Sequence, residues 1–127
     1  MTPSNAVFRQ MFHESLKNTD TYDHLPDAET KYPFAYVGNP IETDQSNSDL
    51  VGTVSIMIHF FGTRRQRNAI DNSLMKLHDN LIKVDSLFPY HMRMTSWKIR
   101  PMPEAPDAPG ILHFIADVQI LYTKKRR

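Results

Sequence analysis

The sequence predicts an α+β domain: a mainly antiparallel four-stranded sheet with two helices on one face, in the order α-β-β-α-β-β. Three observations carry that expectation. Apolar residues recur at helical spacing in two separate stretches. Other stretches alternate, or run apolar, as strands do. The strand-like stretches come in consecutive pairs, each expected to be antiparallel. At 127 residues the chain has the usual size of one domain. We place that domain over residues 1–123, followed by a basic tail at 124–127.

The first helix is expected from Ser4, as its cap, to about Lys17, with Val7, Met11, Phe8, Phe12 and Leu16 turned to a core. Asn18 to Lys31 is polar, contains Pro26 and has the composition of a connection. Phe34 to Gly38 predicts a short strand, ended by Gly38-Asn39-Pro40. No apolar residue lies between Ile41 and Leu50, which marks a polar loop. Leu50 to Phe61 then predicts a twelve-residue strand, well beyond the usual length of about five or six, with a bulge or twist at Gly52.

After Gly62, the residues Ile70, Leu74, Leu77 and Leu81 form one apolar stripe at helical spacing, with Asp71, Lys76 and Asp79 off it. Tyr90 to Ile99 alternates, which places Met92 and Met94 on one face and Arg93, Thr95 and Trp97 on the other. The four prolines of PMPEAPDAPG, residues 101–110, forbid regular pairing. In the last strand, Ile111 to Tyr122, one face holds Phe114, Ala116, Val118, Ile120 and Tyr122. The other holds His113, Ile115, Asp117, Gln119 and Leu121.

Composition excludes several classes. The chain has no cysteine, so a disulfide scaffold, a thiolate metal site and a Cys nucleophile are all excluded. The opening MTPSNAVFRQ lacks signal-peptide character, and no apolar run approaches a membrane span, so a soluble protein with no membrane partner is expected. Without Lys124, Lys125, Arg126 and Arg127 the remainder has 11 basic and 14 acidic residues, a poor balance for general nucleic-acid binding. Phosphate-cradle and nucleophile-elbow motifs are missing, and the serines lack a nucleophile context, so no enzyme and no cofactor is expected.

The sheet face opposite the helices should be polar in a monomer. Here it would carry Met57, Phe61, Trp97, Ile115 and Leu121 among His59, His91, His113 and Asp117. Either a partner covers that face, or the strands run one residue out of register, which would swap the faces. We favour the covered face. Three histidines and a carboxylate raise the question of zinc, but their spacing is not diagnostic, and hydrogen-bonded or interface histidines are the better reading. Arg64, Arg65 and Arg67 fall in the expected first turn of the second helix, where positive charge opposes the helix dipole. Arg67 can pair with Asp71, whereas Arg64 and Arg65 have no local acid. The trio is either a solvated basic corner or a docking site for acidic groups of a partner. The polar loop and the proline-rich loop exceed the usual length, as binding loops often do.

Taken in order, these features resemble a known family. The strand Tyr32-Pro33-Phe34-Ala35-Tyr36-Val37-Gly38, a polar loop, a long strand ending Phe61-Gly62, a basic helix start, a Leu-striped helix and a closing strand pair are similar to the tail terminator, or tail-completion, proteins of long-tailed bacteriophages. The similarity is carried by Tyr32 to about Leu81; the first helix and last strand pair match only in order. It implies a subunit of a homo-oligomeric ring, a hexamer, that caps the tail tube, stops its polymerisation and joins tail to head. Its partners would be further copies of itself, the tail tube protein and head-completion proteins, with DNA only as passing cargo. Its place would be the head–tail junction of the virion, after assembly in the host cytoplasm. A head-side connector or stopper and a single-stranded nucleic-acid-binding module are the alternatives. An enzyme with a histidine metal site ranks behind both.

Overall fold

The computed structural model describes residues 2–44, 51–87 and 89–124. The expected strand start at Leu50, most of the polar loop and the end of the basic tail lie outside those residues.

Helix α1 spans Pro3–Leu16. Its cap is Thr2, whose hydroxyl accepts from the Asn5 amide at 3.2 Å, and Pro3 occupies the first turn, where a missing N–H costs nothing. Ser4, the expected cap, instead donates both its amide and its hydroxyl to Glu42 Oε1, at 3.0 and 2.8 Å. Val7 and Met11 are buried and Phe8 and Phe12 pack beside the core, but Leu16 is 48% exposed.

The sheet is mixed and has seven strands: β1 (Asp20–Tyr22), β2 (Phe34–Val37), β3 (Ile41–Asp44), β4 (Val51–Thr63), β5 (Ser86–Leu87), β6 (Tyr90–Met102) and β7 (Ile111–Lys124). Their order is β1-β2-β4-β7-β6-β5, with β3 pairing β4 alongside β2. The four-stranded expectation therefore captured β2, β4, β6 and β7 and missed three. Those three are two to four residues long, too short to show alternation; β3 and β5 form on the edges of the long strands β4 and β6, and β1 on the short β2. β1 also introduces a parallel pairing, Asp20–Tyr22 against Phe34–Tyr36. β2 and β3 occupy one edge of β4 in succession, broken at Gly38-Asn39-Pro40, where the Gly38 amide bonds the Met57 carbonyl at 2.8 Å.

β4 and β7 form the spine, paired residue for residue from Val51↔Thr123 to Thr63↔Ile111. That unbroken register puts Val54, Ile56, Ile58 and Phe60 beside Ala116, Val118, Ile120 and Tyr122 on one face. Helix α2 (Arg67–Ile82) buries Ile70, Leu74, Leu77 and Leu81, the expected stripe, in the same core that receives α1. Both helices thus cover one face of the sheet, as expected. Gly52 is required by close approach: a Cβ there would lie 2.4 Å from the Tyr122 hydroxyl and 2.6 Å from the Thr43 carbonyl.

Strand β6 departs from simple alternation. Its register against β7 skips a residue between Met94 and Ser96, a β-bulge that leaves Thr95 extra. From there on the faces swap. β6 also runs through Pro101 to Met102, against the expectation that Pro101 would end pairing. An edge strand accommodates proline because its missing N–H can face outward. No helix among the described residues is long and apolar enough to cross a membrane.

Candidate functional site

The uncovered face of the sheet is built by alternation on three strands. β2 contributes Phe34 and Tyr36, β4 contributes Met57, His59 and Phe61, and β7 contributes His113, Ile115, Asp117 and Leu121. Period-two spacing stands these side chains in neighbouring rows, and their rings stack. Phe34 lies on Phe61 with centroids 5.1 Å apart, Phe61 on His113 at 4.1 Å, and Tyr36 on His59 at 4.3 Å with planes within 1°. Tyr32 stacks on Phe34 at 5.3 Å and Tyr22 meets its edge at 6.0 Å. The two histidines are joined by a hydrogen bond of 2.9 Å between His59 Nδ1 and His113 Nε2.

This row covers itself in part. Phe34 and Ile115 are buried at 5% exposure each, Phe61 and Leu121 are half-buried, and Met57 is 42% exposed. The continuous apolar surface expected from sequence is therefore reduced to Met57 and the rims of Phe61 and Leu121. Beside it Arg100 reaches from β6 and bonds Asp117 through Nε to Oδ2 and Nη2 to Oδ1, while its Nη2 lies 3.9 Å from Met57 Sδ.

Burial sets the electrostatics of the ring row. It pushes His113 down to about 4, and the charge of His59 adds to the effect. Burial also lowers His59, opposed by Asp117 and reinforced by Arg100, and it raises Tyr36. At neutral pH both imidazoles are neutral, so one supplies the shared N–H and the other accepts it. The zinc reading does not survive the geometry. His91 pairs with Thr123, ten positions along β7 from His113, or about 33 Å. Among the described residues no group of three or more His, Cys, Asp or Glu side chains is placed to hold a metal. Base stacking has little to use either, because the ring faces are occupied by one another.

Trp97 is not on this face. The bulge at Thr95 turns it to the helix side, where it meets His78 of α2 edge-on at 5.1 Å. The same swap brings Lys98 and Arg100 to the open face, a placement that unbroken alternation assigns to the opposite side. Tyr36 and Phe34 were also missed, although their spacing of two, set against the spacing of His59 and Phe61, was a usable signal.

The three arginines separate. Arg64 and Arg65 occupy a 3-10 turn, Arg64–Gln66, ahead of α2. Gln66 holds that turn: its Oε1 accepts from the Thr63 amide at 2.9 Å and its Nε2 donates to the Tyr32 carbonyl at 3.0 Å. Arg64 does have an acid, Glu104 of the proline-rich loop, at 2.7 Å, which sequence distance concealed. Glu104 in turn accepts from the Gly110 amide at 3.1 Å, where a positive φ of 82° suits glycine. Arg67 lies over the Phe114 ring at 5.6 Å, in place of the expected pair with Asp71. Arg65 is exposed and forms no ion pair among the described residues. The chain matches no protein-family model, and no curated protein matches it in sequence.

Proposed function

We propose that this protein is a non-enzymatic assembly subunit, a tail terminator that forms a closed homo-oligomeric ring, a hexamer, at the head-proximal end of a bacteriophage tail tube. The observation that carries the reading is the bare sheet face opposite the helices, where Met57, Phe61 and Leu121 stand with no second layer over them. A two-layer domain usually presents a fully polar surface there, and the exposed Met57 with the rims of Phe61 and Leu121 favours burial against protein. The order of elements from Tyr32 to Leu81 supports the family reading. A ring needs two different patches that meet head to tail; the bare face offers one candidate, and the Arg64–Arg65 turn that follows the end of β4 offers another. No cofactor and no catalytic residue belongs to this reading; His59 and His113 serve as packing.

Native mass spectrometry over a range of concentrations, together with immuno-electron microscopy of tailed particles, tests it. The expected result is a closed ring of about six copies and label at the tail end of the head–tail junction. Label confined to the head side transfers the protein to the connector class. A monomer that is also absent from particles overturns the proposal.

A further inference from the structure

Strand β6 is the second candidate surface. Its inner side pairs with β7 along its whole length, while on its outer side β5 covers Tyr90 and His91 and the Asp85 carbonyl accepts from the Met92 amide. Two devices limit what remains. The bulge at Thr95 interrupts regular pairing at one end, and Pro101, without an N–H, closes the other. Ser96–Arg100 is left between them, a regular run whose outer edge has no strand partner among the described residues.

The side chains of this run divide cleanly. Trp97 and Ile99 point to the helix side and, with Leu74, Met75 and His78 of α2 and Phe114 of β7, line a mainly apolar trough beside the edge, which Arg67 and Asp71 also border. Met75 is 56% exposed, so the trough is open to solvent. Lys98 and Arg100 point to the other side, where Asp117 answers only part of their charge. The proline-rich loop does not close the edge, because Glu104 is held by Arg64 beyond the end of β4, two strands inward.

We infer that Ser96–Arg100 and the trough along α2 form a strand-addition site for an extended segment of another protein that alternates apolar and acidic residues. Main-chain hydrogen bonds to the free edge would hold the segment, and alternate side chains would read the site. Apolar residues enter the trough beside Trp97 and Ile99; acidic ones meet Lys98 and Arg100. A second copy of β6 is a poor occupant, because two-fold antiparallel pairing centred on Ser96–Arg100 would set Lys98 opposite its own counterpart, a like-charge pair. The inference does not depend on ring formation.

Trp97 is the chain's single tryptophan, so its emission reports on the trough directly. The probe is a short acetylated peptide alternating Val and Glu, titrated into the full chain and followed by Trp97 emission and backbone amide shifts. Expected are a saturable blue shift, amide changes centred on Ser96–Arg100, and binding weakened by about tenfold in Lys98→Glu, an exposed position where the fold should tolerate change. Lys98→Glu should instead gain affinity for a matching peptide that alternates Val and Lys. Four results overturn the inference: no saturable response; equal binding of a Gly/Glu peptide, which makes the effect charge alone; amide changes on the open ring face; or the same shifts appearing with protein concentration and no peptide, which makes a second copy the occupant.

Discussion

Acidification should weaken the fold through His113, and the size of the effect follows from its place in the ring row. Its imidazole is stacked 4.1 Å from Phe61 and hydrogen-bonded to His59, with burial lowering it from 6.5 to about 4. The folded state thus binds this proton less tightly than the unfolded chain. The stability it contributes is complete above about pH 6.5 and is lost as pH falls through that value toward 4. Between pH 7.5 and 5 the full shift would amount to about 2 kcal/mol. The ring is half-exposed, and solvent screening brings that to about 1 kcal/mol. Urea unfolding of the parent and of His113→Gln at both pH values measures it. The glutamine keeps a hydrogen-bonding partner for His59 but cannot titrate, so subtraction removes the contribution of the groups outside this histidine pair. The parent should lose about 1 kcal/mol more than the variant over that interval. Equal losses in the two proteins, or an NMR titration of His113 near 6.5, would refute the account.

Other outcomes follow from single contacts. Gly52→Ala should cost about 1–3 kcal/mol, because Tyr122 and the Thr43 backbone confine the new methyl. Gly62→Ala should cost less, since its tightest neighbour at 2.7 Å is the movable end of Ile70; chemical denaturation ranks the two, and the reverse order contradicts the packing. Deleting Thr95, the extra residue, should remove the bulge and leave Trp97 and Ile99 on the helix side, because Met94 and Ser96 then follow one another against Ile120 and Gln119. A shift of Trp97 emission to that of a solvent-exposed ring would show that the bulge does not set the faces. Arg64→Glu faces Glu104 with like charge, so amide exchange at Gly110 should quicken while global stability hardly changes. If that substitution together with Arg65→Glu leaves assembly of infectious, correctly tailed particles intact, the arginine turn is a solvated corner and no docking surface.

The sequence by itself determined the two helices, the three long strands β4, β6 and β7, the short strand β2 and most of the core. Repeating patterns carried that information: Ile70, Leu74, Leu77 and Leu81 at helical spacing, and thirteen or more residues of alternation on β4 and β7. It also placed Met57, Phe61, Ile115 and Leu121 together on the face away from the helices. Tertiary structure decided everything that depends on one residue too many or on a neighbour far along the chain. One bulge at Thr95 moved Trp97 under α2 and brought Arg100 to Asp117, because alternation has no memory across an inserted residue. Glu104 found Arg64 forty positions away, a pairing that no local pattern encodes. The short strands β1, β3 and β5 formed only where a longer strand presented unpaired backbone, so their existence is a property of the assembled sheet. The coupling of His59 to His113 is of the same kind, since two imidazoles 54 residues apart meet only once β4 and β7 are in register.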